Sequence, residues 1–296
     1  KLKWLPVVCS GGDFKSLILP SITLAFAMSA KYTRQVRTEE RFGIKFYIDN
    51  DSRVMCYGEY MHRKLHTVKN LLYINLNWGL GMGMILNGKL YYGSTGLSGE
   101  LGHITMFDNE IFCRCGKKGC LETEASGFAA RRLLVAKCAA GAQSILTKKL
   151  DTKAQITLDD FVTAIKAEDM LMIEIIEEIG SQLGKGAAAM INIFNPEQVI
   201  IGGELSKAGD YLKMAVIGSI RKYSLSIVNR ETTVELADPS INANLLGCCL
   251  NTVEAAVNSK LKLTLHVLDL CIKILELKLI LMSLHELSTT VPNVPR

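Results

Sequence analysis

One short stretch of the sequence constrains the fold more than any other. It begins at Gly99, ends at Glu122 and reads GELGHITMFDNEIFCRCGKKGCLE. Three cysteines fall within eight residues, and a histidine precedes them by ten positions. Zinc prefers four tetrahedral nitrogen and sulfur ligands, and a loop that wraps a small ion needs glycines for its unusual dihedral angles. The stretch therefore predicts a structural zinc site formed by His103, Cys113, Cys115 and Cys120. The alternative is three ordinary buried cysteines and a core histidine.

Composition narrows the class of protein. The chain has 296 residues, of which 49% are hydrophobic and 21% charged, which is typical of one large domain or two packed lobes. Its net charge of +5 is spread along the chain and indicates neither a nucleic-acid surface nor a membrane surface. Nine cysteines with three clustered favour metal binding over disulfides. We therefore expect a protein of the reducing cytoplasm with no membrane contact.

Two apolar segments lie near the ends of the sequence. Residues 16–30 contain no charge and resemble the apolar part of a signal peptide, but Pro20 and the cysteine cluster favour buried structure instead. Residues 261–284 carry apolar side chains at spacings of three and four beside a narrow polar stripe. This pattern predicts a helix within residues 256–296 that is buried in the fold or against a second copy of the chain.

The rest of the chain alternates between strand and helix patterns. Residues 44–49 and 70–76 are typical of strands, and a hairpin closed by Asn87 and Gly88 follows. Residues 170–193 have a long helical pattern. Residues 197–203 form a short apolar strand that ends in two glycines. A mixed α/β fold is expected.

Two glutamates frame the cysteine cluster. Glu100 precedes His103 by three residues and Glu122 follows Cys120 by two, so a closed metal loop would hold both carboxylates near one another. Carboxylates accept hydrogen bonds from neighbouring sugar hydroxyls, and a metal-bound histidine keeps a second ring N–H for a substrate oxygen. The alternative is that both glutamates are solvated loop charges.

Several motifs together resemble the ROK family of bacterial sugar kinases and sugar-responsive repressors. They are YIDND at 47–51, GLSGELGH at 96–103, CRCGKKGCLE at 113–122 and NIFNPEQVIIGGELS at 192–206. The likeness covers about Arg41 to Leu250. It implies an actin-like (ribonuclease-H-like) α/β fold of two lobes with sugar held between them. We expect residues 1–70 to form an incomplete first lobe, 71–255 to form the second lobe with the zinc loop, and 256–296 to form the apolar helix.

The resemblance also implies roles for individual residues. Sugar contacts are expected from Asn50, Asp51, Glu100, His103 and Glu122, and zinc ligation from His103, Cys113, Cys115 and Cys120. In family kinases the aspartate that matches Asp51 is the general base that takes a proton from the attacking sugar hydroxyl. Without the resemblance, Asp51 would be interpreted as a turn residue after a strand.

The choice between kinase and repressor depends on the phosphate-binding loop. Family kinases carry glycine and threonine where this chain has Asn77 and Trp78, and no amino-terminal phosphate loop matches. The sequence therefore favours the sugar-binding regulatory domain of a ROK-type transcriptional repressor, with structural zinc. A homo-oligomer is implied, and DNA contact only through a helix-turn-helix module that we do not find in the sequence.

Two alternatives stay open at this point. One is an ATP-dependent hexokinase that uses Mg-ATP and Asp51, so whether the chain is an enzyme is unsettled. The other is a degenerate fold that keeps zinc and binds no ligand.

Overall fold

The computed structural model describes residues 4–9, 45–63, 65, 67–152 and 154–258. The apolar segments at 16–30 and 261–284 lie outside the described residues, as does nearly all of the helix expected at 256–296. The strands are β1 (Trp4–Cys9), β2 (Lys45–Asn50), β3 (Leu71–Leu76), β4 (Leu80–Leu86), β5 (Lys89–Leu90), β6 (Gln198–Gly202) and β7 (Thr233–Leu236). The helices are α1 (Asp51–His62), α2 (Gly127–Ala139), α3 (Thr147–Asp151), α4 (Leu158–Lys166), α5 (Met170–Phe194), α6 (Asp210–Tyr223), α7 (Ser226–Asn229) and α8 (Ala243–Asn258). Short 3-10 helices occur at Leu101–His103, Leu121–Thr123 and Glu204–Ala208.

The chain divides into two compact units. Among the described residues, 4–7, 45–48 and 248–258 belong to one unit, and 8–9 with the described part of 49–247 belong to the other. The larger unit contains every residue that the sequence assigned to sugar or zinc. The lobe boundary expected at residue 70 stays a prediction.

A five-stranded sheet organises the larger unit. Its strand order is β5-β4-β3-β6-β7, with β3 antiparallel to β4 and parallel to β6, and β6 parallel to β7. The smaller sheet pairs β1 with β2. The expected mixed α/β fold is therefore confirmed.

Both faces of the five-stranded sheet are covered, which explains why β3 is buried along its whole length. Leu72, Ile74 and Leu76 of β3 join the large core that contains residues of α2, α4, α5 and α6. Leu71 and Tyr73 point to the opposite face and pack with Cys56 and Tyr60 of α1. Because side chains alternate along a strand, Asn75 lies on the α1 face, next to the start of that helix.

Local turn chemistry follows the sequence. The β4–β5 hairpin turns at Asn87 and Gly88, which have φ values of 53° and 74°, as the Asn-Gly pair predicts. Asn195 ends α5 in the left-handed conformation with φ of 42°. Within the described residues, no helix has the length and apolar character needed to cross a membrane.

Helix α1 lies unusually close to β4 because that strand carries glycines. A Cβ atom on Gly81 would lie 2.2 Å from Oγ of Ser52, and one on Gly83 would lie 2.4 Å from Cβ of Cys56. Both positions therefore require the smallest side chain. This packing fixes the first turn of α1, and with it Asp51, against the sheet.

Candidate functional site

The predicted zinc ligands converge on one point. One ligand atom from each of His103, Cys113, Cys115 and Cys120 can be chosen so that all lie within 4.8 Å of one another. Nδ1 of His103 lies 3.5 Å from Sγ of Cys113, and the sulfurs of Cys115 and Cys120 lie 3.6 Å apart. Ligands around a tetrahedral zinc ion are separated by about 3.6 Å between nitrogen and sulfur and by about 3.8 Å between sulfurs. The four residues therefore fit a tetrahedral metal ion.

Backbone hydrogen bonds hold the cysteine loop in this shape. The N–H of Cys113 donates to the carbonyl of Lys117 at 2.7 Å, and the N–H of Gly116 donates to the carbonyl of Cys113 at 2.9 Å. Gly116 and Gly119 adopt φ values of 89° and 70°, and a Cβ on Gly119 would lie 2.0 Å from the carbonyl oxygen of Phe107. The two glycines of the motif are thus required by the path of the loop.

A bound cation would change the protonation of the thiols in this cluster. Burial raises the pKa of Cys113 to about 12, and the carboxylate of Glu122 adds to the effect. A bound dication reverses this preference, since metal coordination deprotonates a thiol outright. The four ligands would fill a tetrahedral shell and leave no open position for a substrate.

His103 presents its two ring nitrogens to different partners. Nδ1 faces Cys113, whereas Nε2 lies 3.9 Å from Oε2 of Glu100. Nδ1 is therefore the atom that could ligate a metal together with the cysteines, and Nε2 is directed toward the carboxylate expected to bind sugar. The Glu100 side chain is 54% exposed and is open to a ligand.

Glu122 differs from Glu100 in that the protein itself uses its carboxylate. Its Oε2 accepts the backbone N–H of Leu80 at 3.0 Å, and its Oε1 lies 3.9 Å from Sγ of Cys113 and 3.7 Å from Nη2 of Arg114. The side chain is only 9% exposed. Glu122 therefore connects the metal loop to the β3–β4 turn, in addition to its expected role toward sugar.

Asn50 and Asp51 stand at the start of α1, where the sequence alone suggested a turn. Oδ1 of Asn50 accepts the N–H of Arg53 at 3.2 Å and caps the helix. Asp51 is the first helical residue, and its Oδ1 accepts the N–H of Ser52 at 2.8 Å. Burial raises the pKa of Asp51, the hydrogen bonds from Ser52 oppose the shift, and the charge of Glu100 reinforces it. The structure therefore brings Glu100 close enough for its charge to affect the carboxyl of Asp51.

The β3–β4 turn is filled by the protein's own side chains. The indole of Trp78 packs against Phe128 and Phe161, with ring centroids 5.3 Å and 6.0 Å away. The carbonyls of Asn77 and Trp78 accept the N–H groups of Gly127 and Phe128 at the start of α2. Glycines occupy positions 79, 81 and 83 of this segment. The packing of α1 explains Gly81 and Gly83, so the glycine spacing alone does not indicate a phosphate loop.

Sequence reasoning missed the polar network around Asp51. Asn75 donates through Nδ2 to Oγ of Ser52 at 3.1 Å and to Oδ2 of Asp51 at a longer 3.5 Å. Asn77 in turn donates to Oδ1 of Asn75 at 2.7 Å. The available signal was an asparagine placed between Ile74 and Leu76 in an otherwise apolar strand.

Comparison with known proteins identifies the family of this chain. The family model described as ROK family matches residues 31–250 of the chain. The chain belongs to the ROK family. It is 32% identical over 212 residues to a glucokinase of Halalkalibacterium halodurans, covering 71% of this chain and 64% of that protein. It is 31% identical over 214 residues to the xylose repressor of Caldicellulosiruptor bescii, covering 71% of this chain and 52% of the repressor.

A solved structure extends the likeness to three dimensions. The crystal structure of a ROK family transcriptional regulator, a homologue of the Escherichia coli MLC protein, superposes with a TM-score of 0.66 at 29% identity. The match covers 81% of this chain and 58% of that regulator. The chain spans less than two thirds of the length of each curated relative named above. Both kinases and regulators therefore stand among its relatives.

Proposed function

We propose that the chain is the sugar-binding regulatory domain of a ROK-type transcriptional regulator. Sugar would be held by Asn50, Asp51, Glu100, His103 and Glu122, of which Glu100 offers an exposed carboxylate and Asp51 a carboxylate with a raised pKa. The glucokinase and the xylose repressor among its relatives both have names that concern sugars. We place the protein in the reducing cytoplasm, as a homo-oligomer, with DNA reached only through a helix-turn-helix module.

The observation that carries this proposal is that side chains of the protein itself fill the β3–β4 turn. Phosphoryl transfer requires backbone N–H groups, hydroxyls and Mg²⁺ around the phosphates. Here Trp78 replaces the hydroxyl residue of family kinases and is packed between aromatic rings. Asn77 uses both ends of its carboxamide on protein partners, Asn75 and the N–H of Glu204. The side chains of this turn are therefore engaged by protein partners rather than available to phosphates. The residues expected to contact sugar are retained.

Zinc is part of the proposal, with His103, Cys113, Cys115 and Cys120 as its ligands. A bound ion would supply structural cross-linking and neutralise the thiolates. It would also fix the ring of His103, so that Nε2 could donate a hydrogen bond to a sugar oxygen. Glu100, 3.9 Å from that atom, would orient the same ring.

The alternative is an ATP-dependent hexokinase, and the glucokinase relative favours it. In that case Asp51 would take the proton of the attacking hydroxyl, and its raised pKa suits a general base. Mg-ATP would be required as the second substrate. The packing of Trp78 argues against this alternative.

The test combines binding and turnover on one preparation. Thermal unfolding is followed with a panel of hexoses, pentoses and N-acetylated hexoses, with and without Mg-ATP, while ADP formation is measured. We expect a sugar to raise the melting temperature without ATP, no ADP to form, and Glu100→Ala to abolish the shift. Glu168→Ala is the matched control, since its carboxylate lies in the turn between α4 and α5.

Each other outcome has a defined meaning. Sugar-dependent ADP formation that is lost in Asp51→Asn would establish the hexokinase instead. No shift with any sugar, in a folded zinc-loaded protein, would leave the degenerate fold as the better description.

A further inference from the structure

A line of amide hydrogen bonds runs from the turn after β6 to Asp51. The backbone N–H of Glu204 donates to Oδ1 of Asn77 at 2.7 Å. Nδ2 of Asn77 donates to Oδ1 of Asn75 at 2.7 Å. Nδ2 of Asn75 then donates to Oγ of Ser52 and to Oδ2 of Asp51. We call Glu204 N–H, Asn77, Asn75 and Ser52 the amide relay.

The direction of the relay is set at one end. A backbone N–H can only donate, so Asn77 must present its oxygen to Glu204 and its NH₂ group to Asn75. Asn75 must then present its oxygen to Asn77 and its NH₂ group to α1. The orientation of two carboxamides, which could otherwise flip, is thus fixed by a main-chain group. Every donor in the relay points toward Asp51.

The relay acts on the carboxylate of Asp51, whose ionised form is otherwise disfavoured. Burial and the charge of Glu100 both raise the pKa of Asp51. The charge of Asp51 in turn contributes to the raised pKa of the buried Tyr73 on β3. Aligned donors polarise one another in a low dielectric, and donors that face a carboxylate favour its charged form. The hydroxyl of Ser52, 3.4 Å from Oδ1 of Asp51, provides a second path from Asn75.

Resting on the proposed function, we propose that Asn77 and Asn75 are positioning residues that hold Asp51 ionised and oriented for a sugar hydroxyl without a nucleotide. Asn77 occupies the N–H of Glu204 and bridges two turns that follow neighbouring parallel strands, β3 and β6. The carboxamide of Asn77 therefore makes this bridge without a nucleotide. A neutral hexose or pentose is the class of ligand that such a site accepts, since its hydroxyls can donate to Asp51.

Asn77→Asp tests the relay because it keeps the acceptor for Glu204 and removes the donor to Asn75. The amide of Asn75 would then turn its NH₂ group to residue 77 and its oxygen to α1. We expect the pKa of Asp51 to rise and the affinity for the sugar found in the panel to fall about three- to tenfold. The pKa is measured by carboxyl ¹³C NMR titration of the ligand-free protein, with the signal assigned by its loss in Asp51→Asn.

Asn75→Ala separates the relay from the simple charge that Asn77→Asp introduces. In an Asn75→Ala background, Asn77→Asp should no longer change the affinity and should raise the Asp51 pKa by much less. An equal pKa rise in both backgrounds would show charge acting through space and would overturn the proposal. Asn192→Asp is the matched control, since Oδ1 of Asn192 also accepts a backbone N–H, from Leu225 at 3.0 Å. It should leave the pKa and the affinity unchanged.

The two proposals fail in different ways. If the wild-type chain binds no sugar, the proposed function fails, while the NMR titration still measures the relay. If sugar binds and Asn77→Asp changes neither pKa nor affinity, only the relay is wrong.

Discussion

Nδ1 of His103 lies 3.5 Å from Sγ of Cys113, and Nε2 of the same ring lies 3.9 Å from the carboxylate of Glu100. One imidazole thus joins the cysteine cluster to a carboxylate that is exposed to ligand. The position of the ring depends on whatever holds Nδ1. The metal site and the sugar site are therefore expected to be coupled.

The first prediction concerns the metal. The purified chain should contain about one zinc ion per molecule, and Cys115→Ser should lose it, because three ligands bind far more weakly than four. Elemental analysis and the melting temperature measure both effects. Cys138→Ser is the control, since this cysteine lies on α2 beside Thr147 of α3 and is not one of the four clustered residues. Full zinc content in Cys115→Ser would contradict the assignment.

The cluster was predictable from sequence because its ligands are close along the chain. Cysteine spacing and two glycines were enough to place Cys113, Cys115 and Cys120 together, and the structure confirms that they converge with His103. The strands at 71–76 and 198–202 and the helix at 170–194 also follow from short-range patterns and agree within one or two residues. Local chemistry determines these features.

Features that depend on long-range contacts were not predictable. Asn77 bonds to the main chain at Glu204, more than a hundred residues away, and no periodicity reports such a pair. The use of Glu122 by Leu80 N–H, and the packing of α1 on Gly81 and Gly83, likewise need the sheet register. The close approach of α1 is a sufficient explanation for Gly81 and Gly83, and the sequence alone did not reveal it.

The second prediction separates the two glutamates. Glu122→Ala leaves the buried N–H of Leu80 without its partner and should lower the free energy of unfolding by about 1–3 kcal/mol. Glu122→Gln keeps an acceptor and should cost less. Glu100→Ala, at an exposed side chain, should change stability by less than about 0.5 kcal/mol. Urea unfolding measures all three. Equal losses for Glu100→Ala and Glu122→Ala would refute this division of roles.

The third prediction tests the packing of α1. Gly83→Ala would place a methyl group 2.4 Å from Cβ of Cys56 and 2.6 Å from the carbonyl oxygen of Ser52. Helix α1 must shift, and stability should fall by about 1–3 kcal/mol or more. Gly218→Ala in α6 is the matched control, since its Cβ meets nothing within 4 Å. That variant should gain up to about 1 kcal/mol from helix propensity. A neutral Gly83→Ala would mean that α1 is not held as described.

The fourth prediction concerns Asp51 and pH. Burial raises the pKa of Asp51 in the folded chain above its ordinary value of 3.8, so the folded state binds a proton more readily than the unfolded state. The stabilising effect of that proton is complete below pH 3.8 and is lost as the pH rises through the folded-state pKa. At neutral pH the buried charge is a cost, which Asp51→Asn removes while keeping an acceptor for the N–H of Ser52. Asp51→Asn should therefore be more stable than the wild type at neutral pH.

The pH dependence of that difference distinguishes a buried charge from a general effect of the substitution. The gap between Asp51→Asn and the wild type should shrink as the pH is lowered toward 3.8, measured by urea unfolding across that range. Asp160→Asn should instead be less stable than the wild type at neutral pH and lose that deficit only below pH 3.8, because the ion pair with Lys149 lowers the pKa of Asp160. If Asp51→Asn were less stable at neutral pH, the fold would favour the charge of Asp51, and the raised folded-state pKa would be wrong.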